Sequence, residues 1–141
     1  MLKTLPSGVF DTSSIEELTL PEGLEYATEK DIFRNMKNLK TLNIPSTLRD
    51  IEIGAMLTST KINTINVHDA NEHMTVEEGI LYTKDKKTLI YATTSFDKST
   101  LDILGVTEIR KYAFYNNAKL KEVTGTSDLS AIREGAFQKS K

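Results

Sequence analysis

The chain has 141 residues, and its 18 lysines and arginines nearly balance its 20 aspartates and glutamates, giving a formal net charge of -2. This length suits a single domain, and the lack of a basic surplus argues against nucleic acid or an anionic membrane as the main partner. No apolar run approaches the roughly 20 residues that span a bilayer. Because there is no cysteine, disulfides, thiolate metal sites and cysteine nucleophiles are excluded.

A repeat with a period of 23 residues runs through the chain. Phe33 and Met56 are 23 residues apart, as are Phe114 and Phe137. Six and nine residues after three of these markers stand aliphatic residues, namely Leu39 and Leu42, Ile62 and Ile65, and Leu120 and Val123. One such unit cannot bury its apolar face alone, so the repeat predicts a solenoid of stacked units, roughly five to six in number.

Each unit is predicted to contain one short strand. In Leu39–Ile44 the side chains of Leu42 and Ile44 share one face, so Thr41 and Asn43 point the other way. Pro45 has no backbone N–H and should end the strand. The segment that follows, through Ala55–Met56, is expected to return to the core as a short helical or irregular stretch.

An insertion interrupts the repeat at about residues 68–103. Within it, Thr75–Tyr82 and Thr88–Tyr91 have strand-like composition, and the polar segment Thr83–Lys87 separates them. We interpret these segments as a β-hairpin near residues 74–91, which takes the place of one return segment.

The repeat motifs resemble those of the BspA-like leucine-rich-repeat proteins of bacterial and protist surfaces. The resemblance rests on the Ile-x-x-x-Ala-Phe pattern of Ile109–Phe114 and Ile132–Phe137, and on the strand Leu42–Pro45. It implies an α/β leucine-rich-repeat solenoid, with a similar hairpin, over the single domain 1–141, which we expect to be a piece of a longer repeat protein. The family's cysteine three residues after the Phe is replaced here by Met36, Ser59, Asn117 and Ser140.

The outward strand positions form the candidate binding surface. Stacked strands place equivalent side chains about 4.8 Å apart, so these residues should form a continuous polar row across successive strands. Short hydroxyl and amide side chains suit hydrogen bonding to a protein backbone or a glycan. The candidate ligand-binding residues are Glu17, Thr19, Thr41, Asn43, Thr64, Asn66, Glu122 and Thr124.

Three local patterns suggest chemistry only weakly. Ser95–Lys98 matches the Ser-x-x-Lys nucleophile motif but lacks its companion motifs. The cluster of His68, Asp69, Glu72 and His73 offers zinc ligands, yet it reads as a solvated loop. The adjacent acids Glu16–Glu17 and Glu77–Glu78 point to opposite sides of a strand. We therefore predict no catalytic residue, no metal site and no cofactor.

The resulting functional hypothesis is a non-catalytic protein–protein interaction or adhesion module whose partner is a protein or a glycan. The family resemblance implies a cell-surface or secreted location, although no signal peptide follows Met1. One alternative is a structural spacer that presents another domain. A remote alternative is an enzyme with its site in the insertion near His68 or Ser95.

Overall fold

The structure, a computed structural model, describes residues 3–5, 14–28, 32, 36–53, 62–115 and 117–137. Over these residues the only helix is a 3₁₀ turn at Thr126–Asp128, and no described helix is long and apolar enough to cross a membrane. The strands are β1 Glu17–Thr19, β2 Tyr26–Ala27, β3 Thr41–Ile44, β4 Asp50–Ile51, β5 Thr64–Val67, β6 Met74–Glu77, β7 Ile80–Thr83, β8 Thr88–Ala92, β9 Thr100–Asp102, β10 Glu108–Ile109, β11 Glu122–Thr124 and β12 Ala131–Ile132.

The first strands of successive repeats stack in the register that the 23-residue period predicts. β1, β3 and β5 form a parallel sheet in which Leu42 lies between Leu18 and Ile65, and all three side chains are buried. Pro45 follows β3 directly, as predicted. The predicted solenoid of stacked leucine-rich repeats is confirmed.

A fixed pattern of backbone hydrogen bonds joins neighbouring turns. Two consecutive N–H groups at the start of one strand donate to a single carbonyl of the preceding turn, at 2.7–3.1 Å. The pattern joins Lys40 and Thr41 to Glu16, Asn63 and Thr64 to Lys40, and Lys121 and Glu122 to Ser99.

Each turn also carries a second short strand that the sequence analysis did not predict. β2 pairs with β4, and β8, β10 and β12 pair in the same parallel manner. These two-residue pairings satisfy backbone groups of the return segment that burial would otherwise leave without partners. The described residues contain no α-helix, so the α/β label fits them loosely. The markers Phe33 and Met56, and the return at Ala55–Met56, lie outside the described residues.

The insertion is a three-stranded meander rather than a single hairpin. The predicted hairpin is present as β7 and β8, joined at Lys84–Lys87. The predicted first strand, Thr75–Tyr82, was wrong as one element, because it folds back at Glu78–Gly79 into β6 and β7. Both turn residues have positive φ, 51° and 82°, as a two-residue hairpin turn of type I′ requires.

The meander separates two hydrophobic cores. Side chains on one face of β7 and β8, including Leu81 and Tyr91, join the core built by β1, β3, β4 and β5. Side chains on the other face, including Tyr82 and Leu89, join the core around Phe114. A bulge in β8 between its pairings with Leu81 and Tyr82 accommodates this division. The inserted strands are therefore buried on both faces.

Candidate functional site

The outward residues of β1, β3 and β5 form one polar surface, which we call the polar face. Its members are exposed or partly exposed, whereas the residues between them in sequence are buried. Register places Glu17 beside Thr41 and Thr64 in one line, and Thr19 beside Asn43 and Asn66 in the next. The structure therefore brings six predicted residues together: Glu17, Thr19, Thr41, Asn43, Thr64 and Asn66.

Side-chain hydrogen bonds connect the three strands of the polar face. The Asn66 Nδ2 donates to Asn43 Oδ1 at 2.9 Å. The Asn43 Nδ2 in turn donates to Thr19 Oγ1 at 3.0 Å and to Glu17 Oε2 at 2.8 Å. All the amide donors thus point towards β1, so the ladder ends at β5 on an acceptor, Asn66 Oδ1. Cross-strand bonds of this kind hold the side chains in defined positions.

The continuity expected of the eight-residue row is wrong at one place. Glu122 and Thr124 lie on β11, which pairs with β9 in a separate two-stranded sheet. The meander lies in the chain between β5 and β9, and these two strands are not paired. The partners of Glu122 and Thr124 are Thr100 and Asp102 of β9, which the sequence analysis missed. The alternation of Leu101 and Ile103 with polar residues is the signal that could have identified β9.

A partly buried ion pair links the turns before and after the insertion. Arg110 Nη1 donates to Asp50 Oδ1 at 2.8 Å and to the carbonyl of Ile51 at 3.1 Å. Burial opposes the charge of Arg110, but the hydrogen bond and charge of Asp50, with Glu52 and Glu108, raise its pKa. Burial raises the pKa of Glu52 despite the nearby Arg110 charge. No repeat spacing predicts this contact, because its partners are 60 residues apart.

The Ser-x-x-Lys segment has no geometry for nucleophile activation. Ser95 Oγ is hydrogen-bonded to Thr93 Oγ1 at 2.7 Å. The Lys98 ammonium forms an ion pair with Glu78, across the turn that joins β6 to β7. A protonated, carboxylate-bound lysine cannot act as the base for Ser95.

The acidic and imidazole groups each have separate surroundings. Among the described residues no three His, Asp or Glu side chains come together as metal ligands, and His68 Nδ1 already accepts from the Ala70 N–H at 3.1 Å. The adjacent acids have different partners: Glu16 pairs with Lys40, Glu17 with Asn43, Glu77 with Lys86 and Glu78 with Lys98. Neither acid pair forms the shared-proton arrangement of a catalytic dyad.

Comparison with protein families places the repeats. Residues 1–79 match the family described as the BspA type leucine rich repeat region, in 6 copies. The chain belongs to the BspA-type leucine-rich-repeat family. This match covers more than half of the sequence, and the predicted membership is confirmed. A search of curated proteins found no match to this BspA-type chain.

Two solved structures share the BspA-type solenoid fold. A leucine-rich repeat protein from Eubacterium ventriosum superposes with a TM-score of 0.78 at 22% identity, over 94% of this chain and 35% of that protein. The pneumococcal vaccine antigen PcpA superposes with a TM-score of 0.77 at 24% identity, over 98% of this chain and 40% of that one. This chain therefore spans well under half the length of either protein.

Proposed function

We propose that this chain is a non-catalytic interaction module that binds a protein or a glycan through the polar face of β1, β3 and β5. The observation that carries the proposal is the side-chain ladder from Asn66 through Asn43 to Glu17 and Thr19. It holds hydrogen-bonding groups at fixed spacing on rigid strands, and such preorganisation lowers the entropic cost of binding.

Membership of a repeat family supports a binding role over an enzymatic one, since solenoids use extended surfaces for recognition. The geometry of Ser95, Lys98 and His68 gives no support to the enzymatic alternative. We further propose a cell-surface or secreted location, because the repeats are of BspA type and one structural neighbour is a pneumococcal vaccine antigen.

The test compares two variants of equal charge. Thr41→Arg with Thr64→Arg places bulk and charge on the polar face. Thr100→Arg with Thr124→Arg does the same on the separate sheet of β9 and β11. Both proteins and the unchanged chain are measured against immobilised fibronectin, laminin and collagen and on a glycan array.

We expect saturable binding that the first variant loses at least about tenfold and the second retains, since blocking contacts at the centre of an interface commonly removes more than 1 kcal/mol. Equal loss in both variants would contradict the assignment to the polar face. Absence of binding by the unchanged chain to every probe would favour the spacer alternative.

A further inference from the structure

The stack of first strands is interrupted after β5. In this parallel sheet Thr64 donates to Lys40 and His68 donates to Ile44, so even-numbered residues of β5 face β3. The backbone N–H and C=O groups of Ile65 and Val67 consequently point to the opposite edge. β9 does not pair with this edge, and no described residue hydrogen-bonds to those four groups.

The free edge of β5 differs from that of β4, which the protein closes. Asn71 is buried and its Nδ2 donates to the carbonyls of Pro45 and Leu48, at 2.8 and 3.0 Å. Arg110 then donates to the outward carbonyl of Ile51. Both edges were opened by the same insertion, yet described side chains fill the hydrogen-bonding positions of only one.

A cavity of 380 Å³ adjoins the free edge of β5. Ile65, Asn66 and Val67 form one wall, and Met74, Thr75 and Val76 of β6 form the other, with His68, Asp69 and Lys84 completing the lining. The volume lies within the range of about 300–1,000 Å³ found for ligand sites. Its side-chain lining carries both charge signs, so it favours no strongly charged ligand.

Chemical complementarity identifies the occupant. The wall presents backbone donors and acceptors at the spacing of a strand, which an extended polypeptide satisfies. The side-chain ladder ends beside it on the acceptor Asn66 Oδ1, since the Asn66 Nδ2 is already donated to Asn43. An amide or hydroxyl side chain that donates to this oxygen would continue the ladder by one step.

We propose that an extended segment of a partner protein adds as a parallel strand to the free edge of β5, with an amide or hydroxyl donor opposite Asn66. This inference rests on the proposed interaction function and specifies its mode. The cavity next to β5 is then the site at which the partner continues both the backbone and the side-chain ladders.

A peptide that copies the chain's own strand is the probe. Fluorescently labelled Asn38–Ser46 carries the Thr-Leu-Asn-Ile strand that already stacks in this register, with Asn43 opposite Asn66. Anisotropy should show saturable binding. Peptides N-methylated at Thr41 and Asn43, which donate towards β5 in this arrangement, should bind at least about tenfold more weakly, whereas methylation at Leu42 and Ile44 should change affinity less than about threefold.

Two proline variants of the protein place the site. Val67→Pro removes an N–H that points to the free edge of β5, and the internal ladder does not use it. Val123→Pro is the matched control, because Val123 faces the free edge of β11 in the same way. We expect the first variant to bind the peptide at least about tenfold more weakly and the second to bind it unchanged, with circular dichroism of each to verify folding.

The peptide outcomes also separate this inference from the proposed function. No saturable binding up to about 1 mM, equal effects of both methylation patterns, or equal binding by a folded Val67→Pro variant would overturn strand addition. Matrix or glycan binding that still depends on Thr41 and Thr64 would then leave the proposed function standing. If Val67→Pro does not fold, the methylated peptides alone decide the mode.

Discussion

A repeat position is buried only where a neighbouring turn covers each side of it. Ile109 lies on β10 between β8 and β12, and its side chain is 0% exposed. Ile132 occupies the same repeat position 23 residues later, on the edge strand β12, and is 57% exposed. The sequence pattern assigns both residues to the same class, and stacking alone separates them. Burial in a solenoid is therefore a property of residue pairs in adjacent turns.

The central positions of the first sheet should carry much of the stability. Leu42 and Ile65 are 0% and 4% exposed, so Leu42→Ala or Ile65→Ala should lower the free energy of unfolding by about 2–5 kcal/mol. Urea denaturation measures the change. The controls Thr41→Ala and Thr64→Ala, one residue away on the polar face, should stay within about 0.5 kcal/mol. A cost below that limit at both core positions would show that the register is misassigned.

At the scale of elements, periodicity predicts what repeats and misses what does not. The 23-residue spacing predicted the pairing of β1, β3 and β5, because each strand meets an equivalent strand. It did not reveal the turn at Glu78–Gly79, because the apolar residues on both sides read as one strand. The second strands were also missed, since two residues are too few for an alternating pattern to be visible.

The candidate site was predictable to the same extent. Alternation in β3 and β5 identified the outward residues of the polar face, such as Asn43 and Asn66. The separation of Glu122 from that face could not be read from the sequence, because it depends on where the meander leaves β9. The closure of β4 by Arg110 was equally hidden, since a contact across 60 residues leaves no local pattern.

The turn that creates the meander should be intolerant of a side chain at Gly79. A Cβ there would lie 2.8 Å from the backbone nitrogen of Phe96, which cannot move aside easily. Gly105 is the matched control, because its φ of 90° resembles the 82° of Gly79 but its Cβ would meet nothing within 4 Å. Gly105→Ala should cost about 1–2 kcal/mol for backbone strain alone.

Gly79→Ala should cost at least about 1 kcal/mol more than Gly105→Ala, because overpacking adds to the strain. Chemical denaturation of the two variants under identical conditions provides the comparison. Equal losses of stability would mean that Phe96 and its neighbours relax freely, and that the β6–β7 turn does not depend on close packing against Thr93 and Ser95.

At the scale of the whole molecule, the meander divides the interior and also joins its two parts. Tyr91 contributes to the core of β1, β3, β4 and β5, and Tyr82 to the core around Phe114. Because adjacent strands of one sheet supply both cores, loss of either core removes packing from the same strands. We therefore expect the two cores to unfold together.

The two tyrosines should make stability decline in alkaline solution. Burial raises the pKa of Tyr91 to about 12, and burial with the charges of Glu77 and Glu78 raises the pKa of Tyr82 to about 12. In the unfolded chain both ionise near pH 10. Their contribution is therefore complete below pH 10 and is lost as the pH rises towards 12, because ionisation then favours the unfolded state.

The double variant Tyr82→Phe with Tyr91→Phe isolates this effect. Urea unfolding at about pH 8 and about pH 11 should show a smaller alkaline loss of stability in the variant than in the unchanged chain. The lysines titrate alike in both proteins and cancel in the comparison. An identical alkaline loss in the two proteins would mean that the tyrosine hydroxyls ionise in the folded state as easily as in water.

The interrupted stacking also determines how the molecule responds to force. Tension along the solenoid axis pulls parallel strands apart sideways, and each paired junction resists with its backbone hydrogen bonds. At the insertion neither β4 with β6 nor β5 with β9 is paired. The load there falls on the Arg110–Asp50 bridge, on the Thr94 N–H bonded to the Ile62 carbonyl at 3.0 Å and on the meander's apolar packing. We expect this junction to be the extensible joint of an otherwise stiff rod.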